Sequence, residues 1–262
     1  MAESIFDVLF IGGACVDIIL QIPRLPYPDE KLVANYVGKQ AGGLVGNTAC
    51  AAARLGLRSA WVGDLGDDEN GSEVINSFKQ FSVNVEYTRV KPNIETDFTV
   101  ILLDPSGERT ILVVPASQPS PLLDPSILSL ASRCRISYCL PHSLDWFTPF
   151  AQAVHEGGGQ VAIDIEGSSP VRGTELVRVL QHTDIVFCSA GGLKLATGSD
   201  DPEKGCERIL AEGVSCVVVT LGSRGAWGAA RGKCLFVPAF QVPVVDTTGA
   251  GDCFHAAFLS QY

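Results

Sequence analysis

The chain has 262 residues and 46% of them are hydrophobic, which is enough for one α/β domain with a sizeable buried core and excludes wholesale disorder. Its formal net charge of −10 argues against non-specific binding to nucleic acid or to an anionic membrane surface. The longest apolar runs are far shorter than the ~20 residues that a membrane span needs, and residues 1–7 lack the pattern of a secretory signal.

The chain begins with an apolar run that ends in two glycines. Residues 7–13 (DVLFIGG) predict a buried parallel strand followed by a tight turn. Residues 15–21 predict a second extended segment that carries one carboxylate, Asp17. Residues 47–55 are rich in alanine and end at Gly56, which predicts a helix with its stop signal.

Three further segments predict a small sheet that stands apart from the main one. Residues 31–40 alternate loosely and favour an edge strand, and residues 96–103 and 109–114 are β-rich runs joined by a DPSG turn. We expect the elements at about 31–40 and 96–114 to form a lid. Between them, the sequence predicts a loop at 64–70, a helix at 73–81 and an extended segment at 83–87.

The second half of the chain alternates between strands and helices. The predicted strands are 136–140, 161–165, 185–188 and 217–221. The predicted helices are 147–156, 174–181 and 202–212. This alternation implies right-handed crossovers and a mostly parallel, doubly wound sheet. We therefore predict one domain over residues 1–262, a three-layer α/β/α fold with a small β-sheet lid.

The motif DTTGAGD, residues 246–252, follows a predicted strand and precedes an apolar helix at 253–259. The small residues Gly249, Ala250 and Gly251 allow a ligand to approach the backbone, and the free N–H groups of a helix start suit an anion. Asp252, beside this anion hole, can accept a proton from an attacking hydroxyl. The alternative is an ordinary glycine turn in which Asp252 is the N-cap.

Two motifs carry a family resemblance. Residues 246–259 (DTTGAGDCFHAAFL) resemble the C-terminal signature of the ribokinase-like (PfkB) sugar kinases, and residues 41–56 (AGGLVGNTACAAARLG) resemble their N-terminal signature. The stretches KLVANY, AARLG and VVDTTGAGDCFH are most similar to the branch that holds ketohexokinase and sulfofructose kinase. The resemblance implies ATP-dependent phosphorylation of a sugar hydroxyl with Asp252 as general base, and ATP and Mg²⁺ as cofactors.

The resemblance also implies individual roles. The residues that match the sugar-binding positions are Asp17, Gly42, Gly43 and Asn47. The residues that match the ATP-binding positions are Arg109, Thr220, Gly222, Ser223, Arg224 and Gly225. Three of these residues have a simpler alternative: Asp17 as an aspartate in a surface loop, Asn47 as a helix N-cap and Arg109 as a solvated charge on the hairpin.

The chain departs from the family pattern in three places. Ser189-Ala190-Gly191-Gly192 stands where many members have an Asn-x-x-Glu motif that organises Mg²⁺, so Asp164 and Glu166 become the candidates to assist the metal. Leu44 replaces a second polar sugar contact of ketohexokinase. The resemblance further implies a longer C-terminal segment, so we expect the last part of the domain to be missing.

Other features have simple interpretations. Nine cysteines with irregular spacing and no CxxC indicate reduced thiols in a cytoplasmic protein, or an organellar one if a targeting segment was removed. The four histidines lack metal-site spacing, and Trp146 and Trp227 are expected in the core.

Several alternatives stay open. The resemblance implies homodimers that pair through the lid. A nucleoside kinase of the same superfamily would stack a base on lid residues such as Tyr36, Phe98 or Leu44, and a truncated, non-catalytic binding or dimerising protein would bind sugar without turnover. A dinucleotide-dependent dehydrogenase is disfavoured because no GxGxxG follows the first strand.

Overall fold

The computed structural model describes residues 5–115, 124–230, 232–244 and 246–262. Val245, in the segment predicted as the strand end before the DTTGAGD motif, lies outside these ranges.

The strands are β1 (Phe6–Ile11), β2 (Cys15–Gln21), β3 (Asn35–Gly42), β4 (Ser59–Val62), β5 (Asp64–Gly66), β6 (Arg89–Lys91), β7 (Phe98–Leu103), β8 (Arg109–Val114), β9 (Cys134–Cys139), β10 (Gln160–Ile165), β11 (Ile185–Ser189), β12 (Cys216–Thr220), β13 (Ala226–Ala230) and β14 (Lys233–Val237). The helices are α1 (Leu44–Arg54), α2 (Glu69–Gln80), α3 (Pro125–Ala131), α4 (Leu144–Glu156), α5 (Gly173–Leu180), α6 (Ala190–Thr197), α7 (Pro202–Ala211) and α8 (Ala250–Gln261).

The large sheet has eight strands in the order β14-β13-β12-β11-β10-β9-β1-β4. The strands from β12 to β4 run parallel, and β13 and β14 join antiparallel at one edge. Because helices cover both faces, the parallel strands are continuous apolar runs that are almost fully buried. The predicted fold class, a three-layer α/β/α domain with a mostly parallel sheet and a smaller sheet, is confirmed.

The core consists of two apolar layers, one on each face of the large sheet. One layer includes Phe147 and Phe150 of α4 and Ile209 of α7. The other layer joins α1, α2 and α8, and it includes Ala49 of α1 and Ala256 of α8, both fully buried. The alanines of α1 leave room for α8 to pack closely beside it. This packing brings the N-terminal turns of the two helices together.

The small sheet has four strands in the order β3-β2-β7-β8. β7 and β8 form the predicted hairpin, and its turn is closed by Asp104, whose Oδ1 accepts from the backbone N–H of Ser106 (2.8 Å) and of Glu108 (3.1 Å). β2, which the sequence analysis left out of this sheet, is its second strand and pairs in parallel with β7. The small sheet is therefore tied to the large one through the short connection between β1 and β2.

Several local expectations were wrong. Residues 64–70 are not a loop, because β5 lies there and Asp68 caps α2 by accepting from the backbone N–H of Gly71 at 2.7 Å. Residues 83–87 supply only a single bridge at Asn84, and β6 follows them. α8 begins at Ala250 rather than at 253. The elements α3, α6, β13 and β14 were not predicted.

Within the described ranges, no helix combines the length and the apolar character that crossing a bilayer would require.

Tyr138 provides a test of the packing between α8 and the sheet. Its ring is fully buried and its hydroxyl lies 3.1 Å from Nδ1 of His255 on α8. We expect Tyr138→Phe to lower the free energy of unfolding by about 1–2 kcal/mol, because the buried imidazole loses its partner. Urea unfolding measures the effect, and Tyr36→Phe, at a side chain that is 66% exposed, is the matched control. Equal stabilities of the two variants would contradict this account.

Candidate active site

A cleft of about 950 Å³ lies at the carboxyl edge of the large sheet, between the small sheet and the N-terminal turns of α1 and α8. Parallel α/β sheets carry their ligand sites at this edge. The sequence-predicted residues that line the cleft are Asp17, Gly43, Asn47, Arg109, Glu166, Gly249, Gly251 and Asp252. Residues from both ends of the sequence are therefore brought into one site.

Asp252 occupies the first turn of α8, with its side chain nearly buried. Asn47 of α1 donates from Nδ2 to Oδ2 of Asp252 at 2.9 Å. Burial raises the pKa of the Asp252 carboxyl to about 6, and the Asn47 hydrogen bond opposes that rise. A carboxyl group with this pKa can take up and release a proton near neutral pH, as general-base chemistry requires.

The N-caps of the two helices are glycines, so the capping alternatives for Asp252 and Asn47 are wrong. Gly249 caps α8 with a φ of 72°, and Gly43 caps α1 with a φ of 93°, both in the region that favours glycine. The first N–H groups of a helix have no intrahelical partner, and the helix dipole makes this end favourable for an anion. Ala250, the third predicted member of the anion hole, does not line the cleft, and its N–H donates to the Thr247 carbonyl at 3.2 Å.

Asp17 lies on β2 in the opposite wall of the cleft and is buried, so the surface-loop alternative is wrong. Its Oδ1 accepts from the hydroxyl of Thr99 at 2.5 Å and from the thiol of Cys15 at 3.6 Å. Gly42 on β3 stands beside it, and a Cβ at that position would lie 2.1 Å from Oδ2 of Asp17. Gly42 is therefore required for space rather than for an unusual backbone conformation.

Arg109, an exposed residue on β8 of the small sheet, reaches across to the DTTGAGD loop. Its guanidinium donates to the Thr248 hydroxyl at 2.7 Å and lies 3.7 Å from the Asp246 carboxylate. Asp246 in turn accepts from the N–H and the hydroxyl of Thr248, both at 2.8 Å. These contacts connect the small sheet to the N-terminus of α8.

Carboxylates cluster at the end of β10. Glu166 lines the cleft, while Asp164 is buried behind it. Burial raises the pKa of both groups, and the negative charges of Glu166 and Asp252 raise that of Asp164 further. Over the ranges that the structure covers, no three His, Cys, Asp or Glu side chains are grouped so that they could hold a metal ion alone.

The segment that replaces the Asn-x-x-Glu motif starts α6. Ser189 caps this helix by accepting from the N–H of Gly192 at 3.1 Å. A Cβ on Gly192 would lie 1.7 Å from the carbonyl oxygen of Ile165, so no glutamate fits there on this backbone.

The predicted nucleotide loop follows β12. Gly222–Arg224 form one turn of 3₁₀ helix, and Gly225 has a φ of 118°. None of the predicted residues of this loop, which also include Thr220, is among those that line the cleft. The loop nevertheless lies at the same carboxyl edge as β10, because β10, β11 and β12 are parallel neighbours.

Thr99, Cys15 and His142 are among the cleft residues that were not identified from the sequence. Thr99 faces Asp17 only because β2 pairs with β7, a register that no local pattern reveals. Cys15 carried a signal, since it lies two residues before Asp17 on one strand and must share its face.

The sequence matches the family described as pfkB family carbohydrate kinase over residues 6–262, so the chain belongs to that family and is a carbohydrate kinase. It is 32% identical to a fructokinase of Klebsiella pneumoniae, in an alignment that covers 95% of this chain and 82% of the relative. It is 30% identical to a ribokinase of Arabidopsis thaliana, with 96% of this chain and 69% of the relative covered.

Solved structures give the same result. The structure of Arabidopsis thaliana ribokinase complexed with ribose and ATP superposes with a TM-score of 0.84 at 27% identity, covering 99% of this chain and 86% of that one. The predicted family is thus confirmed, while the assignment to the ketohexokinase and sulfofructose kinase branch stays a prediction.

Gly42→Ala tests the crowding around Asp17. The new methyl group would overlap the carboxylate, so Asp17 must move, and we expect a loss of about 1–3 kcal/mol in the free energy of unfolding. Gly38→Ala on the same strand is the matched control, because its Cβ would meet nothing within 4 Å. Thermal and urea unfolding of both variants measure the loss in stability. Similar losses in both variants would show that alanine on this strand is destabilising in general and that the contact with the Asp17 carboxylate is not the cause.

Proposed function

We propose that this chain transfers the γ-phosphate of ATP to a hydroxyl group of a sugar, with Asp252 as the general base. The observation that carries the proposal is the position of a buried carboxyl group with a pKa of about 6 in the first turn of α8. It stands beside a glycine-capped helix N-terminus suited to phosphate and across the cleft from a second buried carboxylate, Asp17.

In the proposed reaction the sugar hydroxyl oxygen attacks the γ-phosphorus of ATP and forms the new P–O bond. The bond from this phosphorus to the β–γ bridging oxygen breaks, and ADP leaves with that oxygen. The hydroxyl proton passes to the Asp252 carboxylate. The N–H groups of Gly249 and Gly251 would stabilise the charge of the transferring phosphoryl group, and Asp17, Gly42, Gly43 and Asn47 would position the sugar.

ATP would extend along the carboxyl edge from this phosphate site towards the 3₁₀ turn. The candidate contacts are Thr220, Gly222, Ser223, Arg224 and Gly225, together with Arg109. The ATP-bound ribokinase of Arabidopsis thaliana supports ATP as the phosphate donor. Arg109 already contacts Thr248 beside the glycine-rich turn, and its planar guanidinium is suited to phosphate oxygens.

The acidic groups at the cleft fit Mg²⁺. Burial raises the pKa of Asp164, Glu166 and Asp252; the charges of Glu166 and Asp252 raise that of Asp164 further, and the charge of Glu166 that of Asp252. A divalent ion would favour the ionised forms of these groups. Magnesium is usually held by one or two carboxylates together with substrate phosphates, so a complete protein cage is not needed. Glu166, with Asp164 behind it, would hold the ion, which when bound neutralises phosphate charge.

The small sheet would act as a lid over the sugar. It forms one wall of the cleft through β2, β7 and β8, and closing it would exclude water that competes with the sugar for the phosphoryl group. Ile111, Leu112 and Val113 of the edge strand β8 are exposed and apolar; Ile111 and Val113 line the cleft, while Leu112 lies on the opposite face. This uncovered apolar surface supports pairing of two lids in a homodimer.

The relatives named fructokinase and ribokinase support a ketose or a pentose as substrate. A nucleoside stays the second candidate, because Phe98 and Leu44 both line the cleft and could contact a base. Tyr36, the third residue considered for stacking, is exposed and does not line the cleft.

ADP release with MgATP against ketoses, pentoses, sulfosugars and nucleosides tests the proposal. We expect turnover with one sugar class and a loss of about 10³-fold in Asp252→Asn, because the variant cannot accept the hydroxyl proton. Asp200→Asn, at an exposed carboxylate, is the control. Absence of turnover in the folded, unmutated chain would refute the proposal.

The pH dependence gives an independent check. The raised pKa of Asp252 means that its base form predominates only above about pH 6, so kcat/KM should fall roughly tenfold per pH unit below that value. Binding of substrate to the free enzyme is included in kcat/KM, so this parameter reports the pKa of the free protein. A profile that stays flat down to about pH 5 would contradict the raised pKa of Asp252 in the free protein.

A further inference from the structure

The carboxylate of Asp17 is held by only one of its two oxygens. Oδ1 accepts two hydrogen bonds, from the hydroxyl of Thr99 at 2.5 Å and from the thiol of Cys15 at 3.6 Å. Among the residues that the structure describes, none donates a hydrogen bond to Oδ2. That oxygen lies on the side of Gly42, where a Cβ would come within 2.1 Å of it. Oδ2 is therefore the oxygen left for a ligand in the cleft.

This arrangement is built into the register of the small sheet. β2 is an inner strand, and Asp17 stands directly opposite Thr99 in the parallel pairing with β7. Side chains alternate along a strand, so Cys15 and Asp17 share one face, and both line the cleft together with Thr99. Thr99 is buried and its β-branched side chain has few rotamers, so its hydroxyl is a fixed donor.

The two donors differ in strength. Burial, and secondarily the negative charge of Asp17, raise the pKa of the Cys15 thiol, so that it keeps its proton and can donate it. A thiol is nevertheless a weak donor, and its distance to Oδ1 is longer than that of the Thr99 hydroxyl. Most of the positional control over the carboxylate must therefore come from Thr99.

We propose that Thr99, assisted by Cys15, is a positioning residue that fixes the Asp17 carboxylate with Oδ2 facing the cleft to accept a hydroxyl of the sugar. The proposal rests on the proposed function and deepens it, since it names what sets the geometry of the sugar site. Without the Thr99 hydroxyl the carboxylate can rotate, and a bound sugar must then compensate for ordering it.

The test compares Thr99→Val, which keeps the side-chain shape, with Thr99→Ser, which keeps the hydroxyl. Steady-state kinetics use MgATP and the sugar of highest kcat/KM from the panel above. Thr99→Val should raise the KM for the sugar about tenfold, with the KM for ATP and kcat within about threefold of the unmutated values. Thr99→Ser should stay within about threefold in all three, and Cys15→Ala should raise the sugar KM only about two- to threefold.

Thr110→Val on β8 is the matched control: it makes the same change in the same sheet, at a residue that does not line the cleft. It should leave the KM for the sugar unchanged. If Thr99→Ser raises that KM as much as Thr99→Val, the effect comes from packing and the proposal is overturned. An unchanged sugar KM in Thr99→Val would overturn it as well.

A double-mutant cycle needs no substrate and separates this proposal from the proposed function. Urea unfolding of Thr99→Val, Asp17→Ala and the double variant should show that Thr99→Val shifts the unfolding midpoint less when Asp17 is absent. Additive shifts would show that the contact between Thr99 and Asp17 does not contribute to stability and would overturn the proposal. A clear coupling without any turnover in the unmutated chain would refute the kinase function and the sugar role, while the contact itself would stand.

Discussion

The hydrogen bond from Asn47 to Asp252 joins two residues that are 205 positions apart and holds together the helix starts on which the site depends. It forms because α1 and α8 pack side by side on one face of the sheet, where fully buried alanines allow close approach. The glycine caps, Gly43 and Gly249, then lie at the same end of the sheet. The arrangement places a buried carboxyl group, a helix N-terminus and an amide side chain around one point.

The site concentrates negative charge in a chain that already carries a net charge of −10. Asp164, Glu166 and Asp252 lie at the ends of neighbouring elements, and burial disfavours the ionised form of each. Such a cluster opposes folding at neutral pH, as functional sites often do. Arg109, which lies on the small sheet, pairs with Asp246 of the motif, so movement of that sheet would change the electrostatics around the N-terminus of α8.

The layered α/β architecture could be predicted because buried parallel strands are continuous apolar runs and helices alternate with them. The glycine-rich turn before Asp252 and the small residues of α1 were also visible locally. Two features escaped prediction although their contacts are local: Asp68 caps α2 through the N–H of Gly71, and β14 pairs with the adjacent strand β13. The pairing that puts Thr99 against Asp17 depends instead on a tertiary contact. The pairing of β2 with β7 joins residues that are 82 positions apart. It arises when the small sheet assembles, and no short segment of the sequence encodes it.

The tight contact at Gly192 limits how this chain can change by single substitutions. A residue with any side chain there would collide with the Ile165 carbonyl, so an acid cannot be introduced at 192 until the start of α6 has moved away from β10. Acids at the end of β10, such as Glu166, meet no such barrier because they project from the strand end into the cleft. The backbone thus constrains the order of mutational steps: a change in the position of α6 must precede any substitution that places an acid at its start.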